Sequence, residues 1–174
     1  TIDKEMTPEM TMPDPSPQDF KTAMRDFVGA CSLITTGAGA DASGLVVTSG
    51  ISLTADPPMI LACVNRSSSN WPLLRDFGYF GWSVLGAAHQ GVAERFSGFG
   101  GIWGAAKYEG ADWVDEANGA RTLAGAPLAF ACAVDEMIDR GTHSIVIGKV
   151  MAIRTTPGAG ALIYWNGAYR SLVV

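Results

Sequence analysis

The chain has 174 residues, of which 48% are apolar, with 21 glycines and a formal net charge of −5. That is the length of one domain with a sizeable core, and too apolar a composition for a disordered segment. The acidic balance and the lack of any basic run argue against a nucleic-acid backbone as partner, and no apolar stretch approaches the roughly 18 residues that span a bilayer.

The first ten residues, TIDKEMTPEM, lack the apolar centre of a signal peptide, so a soluble, cytoplasmic protein is the expectation. Cys31, Cys63 and Cys132 are odd in number and unpaired in spacing. They are expected to be small buried hydrophobes, with neither a disulfide framework nor metal-ligand spacing. Residues 1–15 show no periodicity and are expected to form a mobile arm, leaving residues 16–174 as the domain.

Ser16-Pro17-Gln18-Asp19 is a helix start, with Ser as N-cap, Pro in the first turn and Asp near the positive end of the dipole. Phe20, Ala23, Met24 and Phe27 follow at helical spacing and predict one apolar face packed on the core. Cys31–Thr36 and Leu45–Thr48 are short β-branched runs around GAGADASG, which predicts an antiparallel pair. Met59–Val64 predicts a strand buried on both faces. The segment between these last two runs is rich in hydroxyls and ends in Pro57-Pro58.

Ser69 or Asn70 is placed to cap a helix over residues 71–76 that stops at Gly78. Tyr79–Leu85 is a further strand, and Gln90–Phe96 a short helix with Val92, Ala93 and Phe96 inward. His89 stands at that helix start without an assigned role. Residues 97–119 are rich in Gly and Trp and have no clear period. Leu128–Ile138 and His143–Ile153 are long strands joined by residues 139–142. Leu162–Trp165 and Ala168–Leu172 form a hairpin turned by Asn166-Gly167. The sum is mainly β with a few short helices and no βαβ alternation, so a closed antiparallel barrel is expected rather than a doubly wound sheet. No Gly-x-Gly-x-x-Gly follows a strand, which removes a Rossmann nicotinamide site.

Chemistry-bearing residues gather after two of the strands. Asn65, Arg66 and Ser67-Ser68-Ser69 follow Met59–Val64, and Thr48 and Ser49 end the run from Leu45. Hydroxyls, an amide, a guanidinium and free backbone N–H groups at adjacent strand ends suit a phosphate-bearing ligand; the same serines could merely close turns and cap a helix. Neither histidine has a visible triad partner, which weighs against a hydrolase.

Gly44, Ser49, Ser52, Thr54, Pro57-Pro58 and Cys63-Val64-Asn65-Arg66-Ser67 together resemble the signature of the flavin reductase family. The resemblance extends to Phe20-x-x-Ala23-Met24-x-x-Phe27 upstream. Downstream it includes Gln90, Arg95-Phe96, Gly141-x-His143 and Leu162-x-Tyr164-x-x-Gly167-x-Tyr169, so it covers about residues 18–172. It implies an FMN-binding split β-barrel, α+β and Greek-key-like, that transfers hydride from NADH or NADPH to FMN, with FAD possible in its place. It also implies a homodimer that passes electrons to a monooxygenase or to a metal complex such as a corrinoid or a ferric chelate.

By the same resemblance, Val46, Val47, Thr48 and Ser49 would border the flavin ring through backbone and hydroxyls. Cys63, Val64, Asn65, Arg66, Ser67 and Ser68 would reach the ribityl chain and phosphate, with Arg95 adding charge. His143 would meet the nicotinamide as the one catalytic candidate, and Tyr164 and Tyr169 would stack on or bond the dinucleotide. The chain departs from the family at Val46, where many members have Thr, and at Thr142, where the family has Asp beside the histidine. Thr142 offers a hydrogen bond without charge. That departure keeps a non-catalytic flavin carrier or redox sensor as the alternative. A related oxidase acting on a pyridoxine phosphate would need a clamp of several Arg and Lys that the sequence does not show.

Overall fold

The computed structural model describes residues 13–173. The expected N-terminal arm falls largely on residues 1–12, outside the described residues, and 13–15 are exposed coil. In chain order the regular elements are α1 (Pro17–Ala23), β1 (Gly29–Ala30), β2 (Ser32–Thr36), β3 (Ser43–Val47), β4 (Ile51–Ala55), β5 (Pro58–Asn65) and α2 (Asn70–Phe77). These are followed by β6 (Tyr79–Val84), α3 (Gln90–Phe96), β7 (Trp113–Asp115), β8 (Arg121–Leu123), β9 (Leu128–Arg140), β10 (His143–Thr155), β11 (Ala161–Trp165) and β12 (Ala168–Leu172).

A seven-stranded antiparallel sheet runs β3-β2-β6-β9-β10-β5-β4, and a second sheet runs β1-β11-β12. The predicted class, mainly antiparallel strands with short helices, holds. The expectation of a closed barrel does not: β3 and β4 are edge strands of the large sheet and no ladder joins them. The gap is bridged by a side chain, because the Ser49 hydroxyl just after β3 bonds both backbone groups of Cys63 in β5.

β2 is the element around which the rest packs, with all five residues buried. Successive strand side chains point to opposite faces, so Leu33 and Ile34 feed two different cores. Ile34 joins Val47, Ala62, Val64, Phe80, Trp82 and Val146 on one face of the sheet. Leu33 joins Leu85, Phe96, Tyr108, Leu123 and Leu162 on the other, under α3 and the terminal hairpin. Large rings on the first face need gaps in the backbone they pack against, one in β10 and one in the link between β3 and β4. A Cβ on Gly148 would lie 2.2 Å from Phe80 Cζ, and one on Gly50 would lie 2.2 Å from Trp82 Cζ2.

Several sequence expectations change. β5 is not buried on both faces; its exposure alternates because only one face looks into the core, and Cys63 points outward. Cys31 and Cys132 are buried as expected, and burial pushes their thiols up to about 11 and about 12. The hydroxyl-rich stretch before Pro57 contains β4, which pairs with β5. α1 forms with Ser16 as the expected N-cap, and Asp19 returns the bond to complete a capping box, yet none of its residues is buried. Phe20, Met24 and Phe27 are 61%, 43% and 67% exposed, so this apolar face is not core packing within the chain. The segment 97–119 is built of short 3-10 turns and β7. Residues 139–140 belong to β9, which leaves Gly141-Thr142 as the tight turn. At the terminal hairpin Asn166 and Gly167 take φ of 50° and 78°, the left-handed pair that this turn requires.

Candidate functional site

Two strand ends and two loops line three neighbouring clefts that share wall residues. The first has a volume of about 470 Å³ and is lined by Val46 and Thr48, by Glu94, Ser97 and Phe99, and by Tyr164 and Tyr169 of the hairpin. The ladder between β2 and β3 ends at Val47, so the amides of Thr48 and Ser49 lie beyond it. Tyr164 and Tyr169 face each other across the hairpin register in an edge-to-face pair at 5.2 Å. The Tyr169 hydroxyl lies 2.8 Å from Ser97 Oγ, and burial raises its pKa above the ordinary tyrosine value. This cleft offers an aromatic wall opposite a strand end with free backbone.

The second cleft, about 440 Å³, shares Val46 and Ser97 with the first and adds Ser67, Ser68, Ser69, Asn70, Trp103 and Lys107. Its loop is shaped by Asn65, whose Oδ1 accepts from the Ser67 N–H and hydroxyl, both at 2.9 Å. Ser69 occupies the N-cap position of α2 but makes no capping bond; the Ser68 hydroxyl takes that role, accepting from the Asn70 N–H at 3.3 Å. Ser69 is exposed and lines the cleft.

Lys107 is the functional candidate that the sequence did not reveal. It is 4% exposed, and its ammonium donates to the carbonyls of Gly44 at 2.8 Å and Phe96 at 3.3 Å. Burial lowers its pKa below the ordinary lysine value. A single lysine in an aperiodic Gly-rich stretch carries no local signal of burial, so only the fold could place it.

A third cleft of about 800 Å³ shares Ser67 and is lined by Lys21, Asn65, Arg66, Trp71, Gly141, Thr142 and His143. His143 pairs in register with Asn65 across β10 and β5, and its Nδ1 lies 2.9 Å from Thr142 Oγ1. The hydrogen bond that Thr142 offers in place of an Asp is thus made. Arg66 donates its backbone N–H to the Thr142 carbonyl at 3.0 Å. Its guanidinium sits 3.4 Å from the Asp139 carboxylate and 5.8 Å from the Trp71 ring centre. Asp139 also accepts from the Ser144 hydroxyl at 2.6 Å, and Ser144 accepts from Trp71 Nε1 at 2.7 Å. These bonds fix Trp71 and aim Arg66 along the rim.

The fold brings Val46, Thr48, Ser67, Ser68, Asn65, Arg66, His143, Tyr164 and Tyr169 onto the walls of these three neighbouring clefts. Val47 and Val64 have their side chains in the core, so only their backbone can meet a ligand. Ser49 and Cys63 are bonded to one another and line none of the three clefts. Arg95 lines a further cleft of about 250 Å³ that also touches Lys107, with Glu109 and Gly110, and none of the other three. His89 accepts from the Gly86 N–H at its helix start, away from these groups. Among the described residues there is no cluster of His, Cys, Asp or Glu able to hold a metal ion, and no helix long and apolar enough to cross a membrane.

An aromatic-walled cleft joined to a hydroxyl-and-lysine cleft, and that in turn to a cationic one, suits a planar ring carrying a phosphate beside a second anionic ligand. A flavin fits these donors. When bound it supplies the redox chemistry, while the chain orients two rings and sets their polarity.

The chain is similar to known proteins in sequence and in fold. The FMN reductase (NADH) RutF 2 of Methylorubrum extorquens is 36% identical over 153 residues, 88% of this chain and 88% of that protein. The Streptomyces globisporus NADH:FAD oxidoreductase SgcE6, solved with NAD and FAD fragments, superposes with a TM-score of 0.81 at 25% identity over 92% of this chain and 95% of that one. BorF, the flavin reductase component of a bacterial two-component tryptophan halogenase, gives a TM-score of 0.83 at 28% identity over 91% of this chain and 99% of its own. A model of the flavin reductase like domain matches residues 24–173, and the chain belongs to that family of oxidoreductases.

Proposed function

We propose that the protein is an NADH-dependent FMN reductase that works as a homodimer and hands reduced flavin to a partner oxygenase. The observation that carries this reading is that the clefts are neighbours with shared walls. Val46 and Ser97 join the tyrosine-walled cleft to the serine cleft, and Ser67 joins the latter to the histidine cleft. In this reading the ring lies against Val46 and Thr48, the phosphate lies among the serines, and the nicotinamide nucleotide enters past His143. Hydride transfer needs two rings in contact more than a proton relay, so this reading calls for no acid–base dyad. RutF 2 supports NADH and FMN as the pair, and BorF supports delivery to an oxygenase component.

The homodimer rests on an uncovered sheet face. Ile51, Leu61 and Ile147 form one cross-strand row over β4, β5 and β10, and Ile51, Leu53, Met151 and Ile153 are 60%, 46%, 57% and 62% exposed. Apolar patches of this kind mark association surfaces.

Anaerobic addition of NADH to the protein with FMN tests the activity. Bleaching of the flavin's visible absorbance far faster than with free flavin is expected; bleaching at the free-flavin rate would leave a flavin carrier instead. A monomer at micromolar concentration in analytical ultracentrifugation would remove the dimer.

A further inference from the structure

The segment that leads into β1 runs beside two of the three clefts and is attached at few points. Every residue from 17 to 28 is exposed, and Gly29 is the first buried one. Pro17 and Lys21, one helical turn apart on α1, line the histidine cleft with His143. At the other end β1 backs the tyrosine-walled cleft. Gly29 pairs with Tyr164, and a Cβ on it would lie 2.5 Å from Thr48 Cβ. Thr48 and Tyr164 both line that cleft. One short run of chain thus walls one cleft and backs the other.

Among the described residues, Arg25 alone bonds the stretch 17–28 to another part of the chain, and all its bonds go to Asn166. The Arg25 carbonyl accepts from the Asn166 N–H at 2.9 Å. Its Nε donates to Asn166 Oδ1 and its Nη2 to the Asn166 carbonyl, both at 3.3 Å. The grip is close, since a Cβ on Gly167 would lie 2.9 Å from Arg25 Nη2, and Gly167 lines the tyrosine-walled cleft. Arg25 itself lines none of the three clefts. The seven residues of α1, none of them buried, are too few to hold a helix in place by themselves. Where α1 stands therefore depends on the clasp between Arg25 and the hairpin turn.

Resting on the reading of the protein as an FMN reductase, we propose that Arg25 is a positioning residue that couples the two clefts. Flavin seated against Tyr164 and Gly167 favours the hairpin position that Arg25 grips. The gripped turn holds Pro17 and Lys21 at the histidine cleft, so the nicotinamide nucleotide binds more tightly beside His143. The coupling is reciprocal by linkage: the nucleotide must tighten FMN by the same factor. Its size is expected near the low end for coupled sites, because the clasp is exposed and water competes for its bonds.

The test measures FMN affinity by flavin fluorescence quenching, without NAD+ and at the NAD+ concentration that halts NADH oxidation. NAD+ occupies the nucleotide site without reducing the flavin. Wild type is expected to bind FMN about 5- to 10-fold more tightly with NAD+ present. Arg25→Met is expected to cut that factor below about twofold, with FMN affinity in the absence of NAD+ changed by less than about threefold. Arg25→Lys keeps the charge without the fork and is expected to fall between them. A wild-type factor of one, or the full factor in Arg25→Met, overturns the proposal. Equal loss of FMN affinity with and without NAD+ gives Arg25 a structural role only and overturns it as well. Should Arg25→Met fail to fold, Asn166→Gly decides. Gly suits the positive φ at that position, and the variant removes Oδ1 from the clasp. Its factor is expected to fall by about half, and an unchanged factor overturns the proposal. Wild type whose FMN is not reduced by NADH sinks the reductase reading and the coupling with it. Wild type that is reduced but shows no factor sinks only the coupling.

Discussion

The Ser49 hydroxyl accepts from the Cys63 N–H at 3.0 Å and donates to the Cys63 carbonyl at 3.2 Å, so one side chain replaces a rung of ladder where the sheet fails to close. Both groups are exposed, and water can replace the bonds. Ser49→Ala is expected to cost about 0.5–1.5 kcal/mol, read as a lower midpoint in urea at unchanged slope. The larger effect is expected on flavin binding, since the strand end beside the first cleft loses its tether.

Ser144 sits at the centre of a more buried relay. It is 0% exposed and joins Trp71 Nε1 to the Asp139 carboxylate. Ser144→Ala leaves the indole N–H without its partner, and a destabilisation of about 1–3 kcal/mol is expected in equilibrium unfolding. The exposed Arg66–Asp139 pair contributes far less: Asp139→Asn at the pair itself should stay within about 1 kcal/mol. The NADH KM, which depends on where Arg66 points, is the more sensitive readout for that variant.

Gly148 is required by packing rather than by its backbone angles. The methyl of Gly148→Ala would meet the Phe80 ring at 2.2 Å. Overpacking of this kind costs about 1–3 kcal/mol, visible as a lower melting temperature. The double variant Gly148→Ala, Phe80→Leu should recover part of the loss, and strict additivity would show that the clash is not the cause.

His143 lies on the histidine cleft with its Nδ1 at Thr142 Oγ1. His143→Ala is expected to raise the NADH KM several-fold with FMN affinity unchanged. Wild-type NADH affinity in that variant would remove the residue from the nucleotide site.

His89 gives a pH dependence of stability with a definite sign. Its Nδ1 accepts from the Gly86 N–H, which requires that nitrogen unprotonated, and burial lowers its pKa below 6.5. The unfolded chain then binds the proton first as pH falls, so this contribution is complete above about pH 6.5 and is lost on acidification through the folded value. The melting temperature should fall on acidification below that point, and His89→Ala should show a shallower fall.

What the sequence determined by itself is the chemistry that acts over a few residues. The Ser16 N-cap, the stop at Gly78, the Asn166-Gly167 turn and the period of α3 each depend on near neighbours, and each is found where the residues predict it. The hydroxyl loop after β5 was legible for the same reason, since donor types are visible one residue at a time. Burial is a property of distant partners, and there the tertiary structure decided. It put β4 into a hydroxyl-rich stretch because β5 offers it an edge, and it turned Cys63 outward. It left the apolar face of α1 uncovered within the chain. It also buried Lys107 against a carbonyl 63 residues away in sequence, and it turned Arg66 to the histidine cleft rather than the serine cleft.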